Sequence, residues 1–362
     1  MNAPRMNVDP DIGRARTLPG SFYSDPREFD LQRERIFARA WHWIPEGVEL
    51  ENGSDYAVPF TILPGFLDEE LLLTRSNGDM HCMSNVCTHR GTLVVETSGP
   101  RKHLRCRYHG RRFAMDGRFV SMPEFENVEG FPSESDNLPR VAHQTWGPLH
   151  FASLNPAFDF EKILAPVRER AGFLDLDRMK LDPRDSRSYD VASHWALYCE
   201  NYLEGFHIPF VHPDLRRALE VKSYRTELFE YVNLQIGVGK EGEPCFELPA
   251  GHPDAGQRIA AYYFWVFPNL MLNFYPWGLS INLVRPLAVD RCRVLFESYV
   301  LDPSKRALGA GADLDKVERE DEEVVQMVQK GIRSRLYTSG RYSPTQERGV
   351  HHFHRLLARF LA

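Results

Sequence analysis

The chain has 362 residues, enough for two domains, with 43% hydrophobic and 26% charged residues and a formal net charge of −6. That mild acidity argues against nucleic acid or an anionic membrane surface as the main partner. Six cysteines are too few for a disulfide scaffold of this length, and the most apolar stretch, 262–284, is interrupted by Pro268, Asn269, Asn273, Pro276 and Gly278, which excludes a clean membrane helix. Residues 1–20 carry charges and prolines around no apolar core, so no signal peptide is expected and a cytoplasmic enzyme is the default.

In chain order, Asp25 before Pro26 opens a segment of helical spacing (Phe29, Leu31, Ile36, Phe37, Ala40), which predicts a lead-in helix over 26–43 capped by Asp25. From 57 to 149 short apolar runs, such as 60–63, 70–74 and 80–83, are separated by Gly, Pro, Asn and Asp, the pattern of a small antiparallel β domain. Residues 155–187 form a polar connector, helical in part. Longer strand-like runs follow at 226–237, 259–266, 279–286 and 293–301. Two segments of 3.6-residue spacing, 315–335 and 344–361, close the chain, and Gly309-Ala310-Gly311-Ala312 reads as a flexible loop before the first of them. The expected fold class is α+β: a small antiparallel β domain, then an antiparallel sheet closed by a long helix around one cavity. The expected divisions are 1–44, 45–152 and 153–362.

Two clusters carry chemistry. The first is Cys87-Thr88-His89-Arg90-Gly91 and, with sixteen residues between His89 and the second cysteine, Cys106-Arg107-Tyr108-His109-Gly110. Each half is a tight loop able to place one thiolate and one imidazole on a metal unit, and the glycine behind each His permits the turn. Two thiolates and two neutral imidazoles suit zinc or a Rieske 2Fe–2S cluster. Zinc loops usually pair like ligands within one half. Mixed halves are what a Rieske centre needs, because both cysteines hold one iron and both histidines the other. Arg101, Lys102, Arg105, Arg107, Arg111 and Arg112 crowd the second loop. Such a basic face either lies solvated or favours a reduced cluster and docks an acidic electron donor.

The second cluster is Asn201-Tyr202-Leu203-Glu204-Gly205-Phe206-His207-Ile208-Pro209-Phe210-Val211-His212. On an ideal helix two residues five apart point about 140° away from each other. His207 and His212 therefore share a metal only if the helix is distorted between them, and Pro209 predicts a break or wide turn there. Two histidines and one carboxylate suit non-haem Fe(II) with open positions for O2 and substrate. Glu204 lies on the helix expected to run into His207, so the third ligand is sought in Glu318-Arg319-Glu320-Asp321-Glu322-Glu323. Val317, Asp321, Val324, Val328 and Ile332 fall on one stripe, which turns Asp321 inward, while Glu318, Glu322, Gln326, Gln329 and Arg333 fall on a solvated one. Asp321 is the first candidate and Glu320 the second.

Together the two clusters resemble the α subunits of Rieske non-haem iron oxygenases. The motif Asn-Tyr-x-[Asp/Glu]-x-x-His-x-x-x-x-His of that family matches residues 201–212, and both Cys/His loops match its Rieske ferredoxin domain, except that Arg111-Arg112 stands where many members carry an aromatic residue. The resemblance implies a Rieske β domain followed by a helix-grip catalytic domain. It implies a 2Fe–2S cluster on Cys87, His89, Cys106 and His109, and Fe(II) on His207 and His212, to which the helical phase adds Asp321. Catalytic roles fall to Glu204 and Asn201. The family's acid matching Glu204 bridges one subunit's iron site to the neighbour's Rieske histidine, here His109, in a head-to-tail homotrimer. Glu where many members have Asp lengthens that bridge by one methylene. Electrons come from NAD(P)H through a separate reductase, with or without a ferredoxin.

The end of the chain, Ser339-Gly340-Arg341-Tyr342-Ser343-Pro344 and His351-His352-Phe353-His354, resembles the choline and glycine betaine monooxygenase branch, which overlaps with ring-hydroxylating enzymes. The substrate expected from this is an aromatic ring or a quaternary or N-methyl amine. An aromatic-rich stretch (Tyr262, Tyr263, Phe264, Trp265, Phe267, Phe274, Tyr275, Trp277) suits either pocket, although core packing accounts for most of it. His351, His352 and His354 read as solvated or hydrogen-bonded rather than as ligands. Gly237-Val238-Gly239-Lys240-Glu241-Gly242 matches a dinucleotide-binding pattern, but Pro244 and Pro249 follow and no helix begins there, so the nicotinamide is assigned to another protein. Two competing functions remain at this level: a Rieske electron carrier without oxygenase activity, and a zinc-stabilised ligand-binding protein.

Overall fold

The structure, a computed structural model, describes residues 6–45, 55–212, 224–306, 308, 309 and 314–362. The chain divides into two units, one of Ala38–Ala157 and one joining Met1–Phe37 to Phe158–Ala362. Helix α1 (Pro26–Arg35) starts as its sequence dictates: the Asp25 side chain accepts from the Arg27 N–H and Pro26 occupies the first turn, where no helical donor is lost. It ends well before 43, because the chain passes from one unit to the other after Phe37 and His42–Trp43 then form strand β1, antiparallel to Leu149–Ser153.

The 38–157 unit is built from short strands. β2 (Tyr56–Ile62), β3 (Glu69–Ser76) and β4 (Asp79–Ser84) form an antiparallel meander extended by β5 (Gly99–Pro100). β6 (Leu104–Arg105), β7 (Arg112–Phe113) and β8 (Phe119–Ser121) make a second sheet, and β9 (Ala142–Trp146) with β10 (Leu149–Ser153) complete a third on β1. The core between them gathers Leu72, Met83, Val95, Leu104, Phe113 and Met115, together with Cys87 and Cys106.

The other unit contains α2 (Glu161–Ala171), β11 (Lys180–Leu181), β12 (Arg187–Val191), α3 (Trp195–Tyr202) and the single turn α4 (Ile208–Val211). An antiparallel sheet follows: β13 (Arg225–Leu228), β14 (Val232–Val238), β15 (Ile259–Val266), β16 (Leu270–Tyr275), β17 (Gly278–Ala288) and β18 (Arg291–Val300), with β11 and β12 both pairing with β18. The run expected at 226–237 is thus two strands, joined by a turn closed by the Phe229 N–H on Val232 O at 2.8 Å; its residues, Phe229, Glu230 and Tyr231, include no glycine or proline to mark it. Apolar patterning does not separate β16, a six-residue strand buried on both faces and so lacking the alternation that marks a half-exposed strand. Phe264, Trp265, Phe267 and Phe274 are core. After β14 the glycine pattern at 237–242 ends in a turn, with the Glu243 N–H donating to Lys240 O, and no helix begins there. Of the loop expected at 309–312, only Gly309 lies among the described residues. Helices α5 (Leu314–Gly331) and α6 (Arg348–Leu361) close the unit. No described helix is long and apolar enough to cross a membrane.

Helix α3 is anchored from several sides. The His194 Nδ1 accepts from the Ala196 N–H at 3.2 Å as an N-cap, and the indole N–H of Trp195 donates to Gln32 Oε1 on α1 at 2.7 Å. At its other end Gly349 of α6 rests against Leu203, where an added Cβ would stand 2.3 Å from the carbonyl oxygen, so only glycine fits. The C-terminal histidines are hydrogen-bonded: His351 to Asp9 O, His352 to Asn233 and His354 to Tyr342.

Burial pushes the imidazole of His194 down to about 3. The unfolded chain takes up this proton near pH 6.5, whereas the folded chain does not until about pH 3. The contribution of His194 to stability is therefore complete above the unfolded value and falls as the pH drops below it, by at most about 1.4 kcal/mol per pH unit. Urea midpoints measured from neutral to mildly acidic pH are expected to fall accordingly. In His194→Asn, which keeps a capping acceptor, the fall is expected to be shallower.

Candidate metal centres and active-site cavity

The two Cys/His loops close by the same turn. The Gly91 N–H donates to Cys87 O at 3.0 Å and the Gly110 N–H to Cys106 O at 3.1 Å, while Cys87 N bonds Thr92 O and Cys106 N bonds Arg111 O. Both glycines are left-handed, with φ of 73° and 76°, the conformation that side chains resist. The matched turns bring like donors together. The buried thiols of Cys87 and Cys106 interact with each other, and the rings of His89 and His109 lie 4.6 Å apart. His109 Nδ1 is buried with no hydrogen-bond partner among the described residues. Burial, reinforced by His109, Arg111 and Arg90, lowers His89, and burial raises the Cys87 thiol. Sulfur beside sulfur, imidazole beside imidazole and an orphan nitrogen form a donor set suited to a two-iron cluster with thiolates on one iron and imidazoles on the other.

The basic second loop is not uniformly a surface. Arg111 is 2% exposed, and its Nη2 donates to Asp136 Oδ1 at 2.6 Å and Asp136 O at 3.0 Å. Its guanidinium also lies 4.9–5.7 Å from the ring centres of Phe113, Phe119 and Phe131. Although burial opposes it, the guanidinium helps hold the Asp136 carboxyl below its ordinary range. The expectation of a solvated or docking side chain fails for Arg111, because a buried charge needs a counter-charge and Asp136 supplies one. Arg107, by contrast, is exposed and pairs with Glu96.

At the second cluster the chain bends earlier than Pro209 suggested. α3 stops at Tyr202, Glu204 sits beyond its end rather than on it, and Pro209 occupies the first turn of α4, where it costs no helical bond. The Glu204 carboxylate caps the bend by accepting from the N–H groups of Phe206 and His207. His207 and His212 consequently face one another, with ring centres 5.2 Å apart.

Their nitrogens are sorted. His207 Nδ1 meets Glu204 Oε1 at 2.7 Å and His212 Nδ1 meets Glu320 Oε2 at 2.7 Å. Both Nε2 atoms turn toward Asp321 Oδ1, at 3.5 Å from His207 and 2.9 Å from His212. Ligand atoms of His207, His212 and Asp321 all lie within 4.8 Å of one another. Glu320 is therefore on the far nitrogen of His212, not beside Asp321 on the converging side. Burial opposes protonation of His212, but Asp321 and Glu320 outweigh it and raise the imidazole. The local field thus favours positive charge, and a two-histidine, one-carboxylate face with its outer nitrogens held by carboxylates suits Fe(II).

The helical phase inferred for α5 is off by about one residue. Glu318, Val325, Gln329 and Ile332 are buried and Val328 is exposed. The two polar residues are inside because they are satisfied. Tyr198 donates its hydroxyl to Glu318, and Gln329 accepts from the His194 N–H and donates to Tyr23 O. Asp321 stays on the inward side, between Glu318 and Val325. The cavity beside the triad, about 120 Å³, is lined by Asn201, Glu204, the triad itself, Glu318 and five tyrosines, Tyr198, Tyr202, Tyr224, Tyr263 and Tyr275, among others. Burial pushes the Glu318 carboxyl well above the usual carboxylate range. Hydrophobic spacing missed Glu318; so did it Gln235 of β14, whose polar side chain in a fully buried strand is the available signal.

Comparison with known proteins now decides the family. Residues 41–132 match the Rieske [2Fe-2S] domain and residues 178–362 the ring hydroxylating alpha subunit catalytic domain. The chain belongs to the Rieske oxygenase α-subunit family. It is 30% identical to choline monooxygenase, chloroplastic, of Arabidopsis thaliana, over 96% of this chain and 84% of that one. It is 28% identical to the carnitine monooxygenase oxygenase subunit of Escherichia coli (strain K12), over 95% and 93%. Its fold matches the crystal structure of the quaternary ammonium Rieske monooxygenase CntA in complex with an inhibitor, with a TM-score of 0.77 at 22% identity over 98% of this chain and all of that one. This Rieske oxygenase is an iron-dependent enzyme that uses a 2Fe–2S cluster and a mononuclear iron.

Arg111→Leu leaves Asp136 without its counter-charge and removes a cation from the cluster's surroundings. It is expected to destabilise the 38–157 unit by on the order of 3 kcal/mol in urea denaturation. In protein that retains the cluster, a redox titration is expected to give a lower midpoint potential than wild type.

Proposed function

We propose that Cys87, His89, Cys106 and His109 hold the 2Fe–2S cluster and that His207, His212 and Asp321 hold the mononuclear iron. The observation that carries the second assignment is the sorting of the imidazoles: both Nδ1 atoms are engaged by carboxylates and both Nε2 atoms turn to Asp321. When bound, such an iron supplies O2 activation using electrons passed from the cluster. Glu204 and Glu320 fix the tautomers, so that each Nε2 presents its lone pair. Glu204 has a second role in this reading: it links the iron site to His109 of a neighbouring subunit in a homotrimer. Electrons enter from NAD(P)H through a separate reductase, with or without a ferredoxin. All six cysteines are unpaired, which suits the cytoplasm.

The substrate proposed is a methylated amine, choline- or carnitine-like, hydroxylated as a monooxygenase substrate. The named activities of the relatives support an amine over an aromatic ring, and so does the cavity. Glu318 and Asp321 line it with tyrosine rings, and each ring attracts a quaternary ammonium by roughly 0.5–2 kcal/mol. Asn201, at the end of α3, borders the same space and is placed here as a residue that orients the substrate.

Purified protein is expected to contain about three irons and about two labile sulfides per chain; a pure electron carrier would hold one iron fewer. His207→Ala and Asp321→Ala are expected to keep the cluster's absorption, lose the extra iron and lose substrate-dependent O2 uptake. Turnover surviving in His207→Ala sinks the iron assignment. With a surrogate reductase, choline and carnitine are expected to stimulate O2 uptake and aromatic acids are not; the reverse result overturns the amine reading.

A further inference from the structure

The floor of the cavity carries a polar row. Gln235 of β14, Tyr263 of β15, Asn273 of β16 and Ser280 of β17 stand opposite one another in register across four adjacent strands, and all four line the cavity. Much of the row is internally satisfied. The Tyr202 hydroxyl donates to Asn273 Oδ1 at 2.6 Å, Asn273 Nδ2 donates to Ser280 O at 3.3 Å and Asn282 Oδ1 at 3.2 Å, and Ser280 Oγ donates to Asn282 Oδ1 at 3.3 Å.

Gln235 differs. Its Nε2 donates to the main-chain carbonyl of Tyr202 at 2.6 Å. A carbonyl only accepts, so this bond fixes which end of the amide is nitrogen and leaves Oε1 on the other side. That oxygen is buried with no hydrogen-bond partner among the described residues, and the whole residue is only 2% exposed. Native interiors keep few unpaired acceptors, because leaving one without a donor is costly. Here the unpaired acceptor belongs to a residue that lines the cavity holding the triad.

We propose that Gln235 Oε1 is a substrate-recognition atom, accepting a hydrogen bond from a hydroxyl or N–H group of the molecule bound in the cavity. The inference rests on the methylated-amine reading and narrows it: the preferred substrate carries a donor of its own, and a fully methylated amine without one leaves Oε1 unpaired. Tyr202 is a positioning residue in this scheme, since its carbonyl orients the amide while its hydroxyl ties down Asn273.

The test compares two ligands that differ in one donor. Metal-loaded protein, kept free of O2, is titrated calorimetrically with choline and with its O-methyl ether. Choline is expected to bind about 5- to 150-fold more tightly. In Gln235→Met, which keeps the bulk and removes the acceptor, the ratio is expected to approach one. Equal affinities in the wild type mean that a trapped water serves Oε1, and they overturn this role while leaving the amine reading in place. A ratio that persists in Gln235→Met also overturns it. Binding of neither ligand, with carnitine also failing to bind, overturns the amine reading and the inference together. The wild-type comparison stands even if the variant does not fold.

Discussion

Two imidazoles and three carboxylates, those of Glu204, Glu320 and Asp321, crowd one small space beyond the end of α3, with the buried carboxyl of Glu318 beside them, and neutralising the three requires positive charge. Each acid has an assigned neighbour: Glu204 and Glu320 hold the outer nitrogens of His207 and His212, Tyr198 donates to Glu318, and Asp321 faces both inner nitrogens. A carboxylate is costly to bury unless it is paired, hydrogen-bonded or bound to a metal. The raised His212 imidazole is the same pressure expressed on a proton. A bound metal cation is the natural answer to that excess of negative charge.

Much of the surrounding structure serves to hold this arrangement still. α3 is capped by His194, tied to α1 through Trp195 and Gln32, and closed at its end by the glycine contact of α6. Gln329 of α5 bonds the His194 main chain, so the helix that carries Asp321 and the start of the helix leading to His207 are joined by one amide. The sheet supplies the opposite wall, where Asn273, Ser280 and Asn282 bond one another while Gln235 Oε1 has no partner among the described residues. Rigid elements on three sides let a short loop, 203–207, make the sharp bend that no regular helix would permit.

The 38–157 unit solves a similar problem by different means. Its two Cys/His pairs sit on matched turns rather than on helices, and left-handed glycines make the turns possible. Next to them lies a guanidinium fully inside the protein, held by Asp136 and three phenyl rings. A permanent positive charge in a low-dielectric surrounding acts on a cluster much more strongly than the same charge in water. The departure from the common family pattern at Arg111 is therefore compensated structurally, and it bears on the electron-accepting group without contributing a ligand.

Residue types and local spacing sufficed for the α+β class, the two Cys/His loops, the His207/His212 pair, the α1 cap and the dismissal of the glycine-rich decoy. These are short-range patterns, and the physics that fixes them acts within a few residues. Apolar periodicity failed where burial was decided by partners far along the chain. Glu318 and Gln329 are inside because Tyr198, His194 and Tyr23 satisfy them, so the α5 stripe was misphased; Arg111 is inside because Asp136 lies beside it. The turn between β13 and β14 carries no turn residue, and β16 carries no alternation. Which acid meets the two Nε2 atoms, which acids hold the Nδ1 atoms and which amide is left with a free oxygen are settled only when helix, loop and sheet come together, because hydrogen bonds between distant residues leave no mark on the spacing of either.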